Sequence, residues 1–402
     1  MKPSILFIVP ATYEALKNKG VENTILERDE NGFFKKVITL HPFSNKTYFL
    51  KLNDCHEVYE IGFDLLPGLK NIRLFYYLQL PIHFFRIVFK TLRLIKKYNL
   101  DIIRANDPYW MGLFGYICSR ICNIPFCVSI HADYDKSIKL DKDISIIKVL
   151  GSYKIAKRME RFILSRASIV LPIRQSLAIK AIASGAKEDK VKVIPHGIDL
   201  TPFKHPVVHK IRKLFNIDSK IKIISFVGRL SKENYVYDIL EICKKLGQKR
   251  QDFLIIMAGG GKEENRIKEK AASEPLLLKH ILLVGFQPRE VCFDIRRTSH
   301  ICLCLMGGFS LIEACAAERP VVSYHVDWHS ELVINKETGF LISENKVDEV
   351  VKALDWLLEH PDESYKMGRK AKILAFDHHD LKITSAIKTD YYKEMIKPGE
   401  NN

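Results

Sequence analysis

The sequence predicts an α/β protein of two domains, each built on a parallel sheet, with the sheets facing a central cleft. Three observations predict it. A chain of 402 residues exceeds what one hydrophobic core ordinarily fills. Short apolar runs alternate with helical patterns along its length, the pattern of βαβ units. Near the middle, Pro195-His196-Gly197-Ile198-Asp199-Leu200-Thr201-Pro202-Phe203-Lys204-His205-Pro206 puts three prolines and a glycine into twelve residues, which makes a rigid connector. The connector separates residues 1–197 from residues 198–381. Two such halves face to face would leave a cleft at the carboxyl ends of their strands, where ligands of open α/β sheets sit.

The elements follow in order. Strands are predicted over 5–9, 36–40, 101–105, 126–130 and 168–172. A second series is predicted over 191–194, 221–227, 253–258, 281–284, 301–305 and 320–324. The run 5–9 ends at Pro10 and reads as a first strand, not as a signal peptide. No stretch of 18 apolar residues is present, so no membrane span is expected. Residues 81–97 read as a helix with Pro81 in its first turn. Arg86, Lys90, Arg93 and Lys97, spaced four, three and four apart, form one face of it, and Phe84, Phe85, Val88, Leu92 and Ile95 fill the other. The plain reading is a surface helix covering a sheet. The sharper reading is docking on an anionic membrane surface, with aromatics from 74–78 entering the interface.

Composition narrows the partners. A hydrophobic content of 47% with 27% charged residues is that of a folded globular chain, and the formal charge of +16 asks for an anionic partner. No basic block with interleaved aromatics marks a nucleic-acid surface. Nine scattered cysteines without CxxC pairs imply reduced thiols and a cytoplasmic setting. No His/Cys set has metal-ligand spacing, so no metal is expected, and His378-His379-Asp380 reads as a polar helix flank.

Four glycine-bearing strand ends carry the chemistry. Gly307-Gly308-Phe309-Ser310-Leu311-Ile312-Glu313 follows the run 301–305 and opens a helix whose positive end suits an anion, with Glu313 one to two turns further on. Gly228-Arg229-Leu230 ends the strand 221–227, and Arg229 can grip a phosphate bidentately. Gly259-Gly260-Gly261-Lys262 follows 253–258 and lacks the ending of a Walker loop. Val284-Gly285-Phe286-Gln287-Pro288 can wall a base pocket. Each is also compatible with an ordinary strand–turn–helix joint. In the first half, Asp107 of Asn106-Asp107-Pro108 reads equally as a site carboxylate and as a helix cap. Asp327, His329 and Glu331 crowd a loop after 320–324 and are candidates for binding an acceptor or closing over a donor, with a capped helix start as the bland alternative.

The order of these motifs, together with Val193-Ile194-Pro195-His196-Gly197-Ile198-Asp199, resembles the family 4 glycosyltransferases of the GT-B fold, over about residues 100 to 345. Gly20-Val21-Glu22 matches that family's first glycine-rich loop only faintly. The resemblance implies two Rossmann-like domains, with a C-terminal helix at about 382–402 returning to the first. It implies transfer of a sugar from a nucleoside diphosphate sugar to a glycan or lipid-linked acceptor, retaining configuration, without metal or other cofactor, in cell-surface polysaccharide or glycolipid synthesis. It also assigns roles. Arg229 offsets charge on the donor diphosphate, with Lys232 as a further cation, and Glu313 holds the ribose. Gly228, Gly259, Gly260, Gly307, Gly308, Phe309 and Ser310 line the donor site. His131, in Val128-Ser129-Ile130-His131-Ala132-Asp133-Tyr134, faces the donor sugar, with Asp133 and Asp107 as acceptor-side candidates. Two positions depart from the family pattern: Leu305 stands where a sugar-contacting glutamate is common, and Asn234 where a phosphate-binding lysine is. Those losses keep two rivals open, another GT-B enzyme such as a nucleotide-sugar epimerase, and a non-catalytic nucleotide-sugar-binding or scaffold protein. The enzyme would work in the cytoplasm, peripherally on the inner face of the membrane if the basic helix docks.

Overall fold

A computed structural model describes residues 2–18, 23–63, 73–135 and 152–396. The chain divides into two units, Met1–Pro195 with Ser385–Asn402, and His196–Thr384. Gly20-Val21-Glu22 and the side chains of 74–78 lie outside the described residues.

The first unit holds strands β1 (Ser4–Ile8), β2 (Lys36–Ser44), β3 (Tyr48–Lys51), β4 (His56–Gly62), β5 (Ile102–Ala105), β6 (Phe126–Ile130) and β7 (Ile169–Pro172), in the sheet order β3-β4-β2-β1-β5-β6-β7. All pairings are parallel except the edge pair β3–β4. Helices cover both faces, which is why β1 reads as a continuous apolar run. The sequence reading missed β3, a four-residue edge strand, and β4, whose apolar residues are broken up by His56, Glu57 and Glu60. His56, Glu57 and Glu60 are all buried in β4; Glu57 is satisfied by Lys36 at 2.6 Å, and His56 by Thr39 at 2.8 Å. Residues 191–194, expected as a strand, make only one isolated bridge, Val170 with Val191. Pro195 cannot donate to a ladder and ends the pairing.

The helix Arg73–Tyr98 begins before Pro81, which lies inside it and not in the first turn. Its faces also differ from expectation. Arg86 donates to the carbonyl oxygen of Gly62 (3.2 Å) and to the hydroxyl of Thr47 (3.1 Å), and the Lys90 ammonium sits over the Tyr59 ring at 4.8 Å. These two cations lie down on the edge hairpin, covering it with their aliphatic stems. Ile82, Phe85 and Phe89 are left 60%, 69% and 57% exposed, so Phe85 belongs to the outer face and not to the core.

The second unit holds β8 (Lys222–Val227), β9 (Phe253–Ala258), β10 (Ile281–Gly285), β11 (Ile301–Leu303), β12 (Val321–Tyr324) and β13 (Gly339–Ile342), all parallel, in the order β10-β9-β8-β11-β12-β13. The chain builds outward from β8 through β9 and β10, then returns to the other side of β8 with β11. That reversal leaves a crevice beyond the carboxyl ends of β8 and β11. β13, Gly339–Ile342, is not among the strands expected from the sequence.

The helix Leu381–Ile396 starts in the second unit, where the Leu381 N–H donates to the carbonyl oxygen of Ile198 (2.9 Å). From Ser385 on it belongs to the first unit. There Tyr392 is fully buried, its ring 5.1 Å from Phe34, and its hydroxyl takes a hydrogen bond from Arg104. Buried Glu30 binds Lys388 (2.8 Å) and Ser385 (2.9 Å).

Candidate active site

The strand-order reversal decides which loops meet in the second unit. Gly228-Arg229 leaves β8, and Gly307-Gly308 follows its neighbour β11, so both open on one crevice. The loops after β8, β9 and β10 are laced together. The Gly228 N–H donates to Ala258 O (3.0 Å), the Leu230 N–H to Gly260 O (3.0 Å) and the Gly259 N–H to Gly285 O (2.8 Å). This revises the expected role of two glycines. A Cβ on Gly259, whose φ is +140°, would stand 2.0 Å from Gly228 O, and one on Gly261 would stand 2.3 Å from Leu230 O. They are glycines so that the β9 loop can lie against the β8 loop, not primarily so that a ligand can approach. Gly260 follows the same path, with the Glu264 carboxylate near it.

Arg229 is exposed at the crevice mouth, and the Asn234 side chain donates to its carbonyl oxygen (2.7 Å). Asn234 therefore closes the turn that presents Arg229. Lys232 is exposed in the 3₁₀ turn Lys232–Asn234. A third cation, Lys262, lies on the β9 loop, which is tied to the β8 loop through Gly260 and Glu263. The Glu233 carboxyl is held below its usual range by the Ser231 hydroxyl first, with Arg229 and Lys262 adding to the effect.

The helix Phe309–Ala316 starts at Gly308. A Cβ on Gly308 would meet nothing within 4 Å, whereas one on Gly307 would lie 2.6 Å from both Cys304 Sγ and Ser310 Oγ. Gly307 packs inward and Gly308 is open. Glu313 lies on this helix, its Oε2 3.0 Å from the buried Arg296 and its Oε1 3.5 Å from the exposed Arg289. Sequence reasoning missed Arg296, because nothing local distinguishes it from a surface arginine of the helix Arg289–Thr298. Leu305 is fully buried in the main core of this unit. A carboxylate there would be sealed among apolar side chains, so Leu305 is a core residue and not a lost sugar contact. Phe286 stands 87% exposed beyond β10.

The three candidates after β12 do not share one environment. Asp327 and Glu331 are exposed, Asp327 with φ +52°. His329 is fully buried beneath the Gly307 turn, which removes it from the acceptor-contacting set. In the first unit, His131 follows β6 directly and is half-buried. Asp133, two residues on, pairs with Lys180. Asp107 is buried and not an acceptor-facing carboxylate. Its Oδ1 accepts from the N–H groups of Tyr109 (2.8 Å) and Met111 (3.3 Å), capping the helix Trp110–Cys122.

Burial pushes the Asp107 carboxyl up to about 6, against the backbone bonds that lower it. A carboxyl raised above its unfolded value near 3.8 binds its proton more tightly in the folded state. Its contribution to stability is complete at low pH and is lost as pH rises through about 6. Asp107→Asn keeps a capping oxygen and removes the titration. Urea unfolding should show variant and wild type near parity at about pH 4, with the variant ahead by about 2–3 kcal/mol at about pH 7.5.

Comparison with known proteins places this geometry. The chain superposes on Anabaena HepE, solved in complex with UDP, with a TM-score of 0.70 at 17% identity, covering 97% of this chain and 100% of that one. The two parallel-sheet units thus have the GT-B architecture. Residues 207–373 match the model of the glycosyl transferases group 1, and residues 13–202 that of Glycosyltransferase Family 4. The chain belongs to the family 4 glycosyltransferases and is an enzyme of the hexosyl-transferring class. It is 25% identical over 346 residues to the capsular polysaccharide biosynthesis glycosyltransferase CapM of Staphylococcus aureus, covering 83% of each chain. It is 21% identical over 324 residues to the alpha-monoglucosyldiacylglycerol synthase of Streptococcus pneumoniae, covering 77% of this chain and 72% of that one.

Proposed function

We propose that the protein transfers a sugar from a nucleoside diphosphate sugar to a glycan or lipid-linked acceptor, with retention of configuration and without an obligatory metal or other cofactor. The observation that carries this reading is the adjacency of β8 and β11. It brings Arg229 and the start of the helix Phe309–Ala316 to one crevice, and the β9 loop that carries Lys262 is hydrogen-bonded to Leu230 next to Arg229. Fixed positive charge of this kind suits a leaving diphosphate, whose charge grows as the glycosidic bond breaks. Glu313 receives the ribose hydroxyls on the oxygen it shares with the exposed Arg289, while Arg296 holds the other oxygen. Phe286 forms the wall of the base pocket.

In the proposed step the acceptor oxygen bonds to the anomeric carbon on the face from which the diphosphate oxygen leaves. The acceptor's proton passes to that leaving oxygen, so no protein nucleophile is required. The family resemblance gives His131 the sugar-facing role. A thermal-shift panel with UDP, GDP and ADP and their sugars tests the reading. One nucleotide class should raise Tm by several degrees at saturating concentration, and slow release of the nucleoside diphosphate from the matching donor should follow. No shift with any of them would overturn it.

Use in capsule or glycolipid synthesis, and attachment to the membrane that such acceptors require, belong to the same proposal. Ile82, Phe85 and Phe89 form an exposed apolar line flanked by Arg86, Lys90 and Arg93, with the Arg93 guanidinium 4.3 Å above the Phe89 ring. Among the described residues no helix is long and apolar enough to cross a membrane. Phe85→Asp with Phe89→Asp should release the protein from anionic vesicles by tenfold or more, by the order of magnitude of two lost aromatic insertions. Sedimentation at low salt measures it, and equal binding of variant and wild type would exclude this face.

A further inference from the structure

We infer that His329 is a positioning residue for the donor site, a buried imidazole that fixes the Gly307 peptide so that the following amides face the diphosphate. The inference rests on the proposed donor role of the Gly307–Ser310 turn and says what holds that turn in shape.

The hydrogen-bond chain around His329 can be assigned by counting protons. The Ser323 hydroxyl lies 2.7 Å from the carbonyl oxygen of Cys304 and 3.3 Å from that of Tyr324; both can only accept, so Ser323 spends its one proton on them, chiefly on Cys304. Its remaining close neighbour is His329 Nδ1 at 2.6 Å. With the hydroxyl proton already placed, Nδ1 must carry a hydrogen and donate to Ser323. A neutral imidazole then has its lone pair on Nε2. The Gly307 N–H, 3.2 Å away, donates into that lone pair. A doubly protonated ring would instead hand Nε2–H to the Gly307 carbonyl oxygen at 3.1 Å and lose the amide contact. The ring is fully buried, which favours the neutral form.

The consequence reaches the crevice. The Gly307 N–H is turned inward, so it does not serve a ligand. A Cβ there would also collide with Cys304 Sγ and Ser310 Oγ, so the turn is fixed on that side as well. With Gly307 tied down, the chain runs through the open Gly308 into the first helical turn, whose leading amides have no acceptor within the helix. Those amides are the ones aimed outward. Ser323 and His329 thus fasten the anion-facing turn to β12 and to the Cys304 carbonyl beneath it.

The two amide substitutions separate this role from plain packing. Glutamine places an acceptor oxygen where Nε2 stands, and asparagine reproduces only the Nδ1 side. His329→Gln should bind the best of UDP, GDP and ADP within about threefold of wild type, and His329→Asn about tenfold more weakly, the scale of one lost hydrogen bond. Hydrogen–deuterium exchange of the peptide covering 305–311 should quicken in the asparagine variant and not in the glutamine one. Equal affinities in all three proteins, or equal losses in both variants that track Tm, would overturn the inference alone. Absence of nucleotide binding in the wild type would overturn the donor reading, and this inference with it.

Discussion

Arg229→Ala is expected to lower kcat/KM for sugar transfer by about 10²–10³-fold, the usual loss when one preorganised electrostatic contact to a developing charge is removed. Arg229 is exposed, so Tm should hold within about a degree, by the small effect of surface substitutions. The loss should split between KM and kcat. Part of the interaction exists with the bound donor, and the larger part appears as charge gathers on the leaving oxygen. Arg229→Lys keeps the charge without the planar fork and should recover only part of the rate. Steady-state kinetics on the donor identified by the thermal-shift panel, with Tm measured in parallel, checks this. An unchanged kcat/KM in the alanine variant would remove Arg229 from the site.

Gly259→Ala should be the most destabilising single methyl among the site glycines. The added carbon would lie 2.0 Å from Gly228 O at a backbone φ of +140°, so both sterics and conformation oppose it. A loss of about 3 kcal/mol or more is expected, or roughly 6–12 °C in Tm for a unit of this size. Gly308→Ala gives the contrast. Its Cβ meets nothing within 4 Å, so the Tm change should be much smaller, whereas nucleotide affinity should fall because the methyl enters the space in front of the helix start. Differential scanning fluorimetry with and without nucleotide separates the two. A Gly259→Ala protein as stable as wild type would refute the stacking role.

The second unit was legible because its strands are apolar runs ended by glycines. A parallel sheet buried on both faces must look that way, and strand order then places the loops. Arg229 and Glu313 were found because they flank those glycines. What stayed hidden depended on how separate elements pack. Arg296 reaches Glu313 from a separate helix, and Ser323 meets His329 only because β12 ends beneath the Gly307 turn. His329 looked like a surface candidate among Asp327 and Glu331, and only the fold shows its ring inside. Asp107 had two equal readings in the sequence, and burial decided for the cap. β4 was missed for a related reason: its buried charges are acceptable only because Lys36 and Thr39 come to meet them.

The C-terminal helix sets an order of events during synthesis. Glu30 finds Lys388 and Ser385, and Arg104 finds Tyr392, each across nearly the whole chain. While the ribosome is still making the second unit, the first has its sheet but lacks these partners: Glu30 is without Lys388 and Ser385, and Arg104 keeps Ser129 but lacks Tyr392. The packing of the first unit must therefore wait until the second unit and the helix after it have been made, although that unit is made first. A nascent chain stalled with 384 residues exposed should be cut by protease near Glu30 far faster than the full chain. The helix Leu381–Ile396 would then act as a latch on the unit made first.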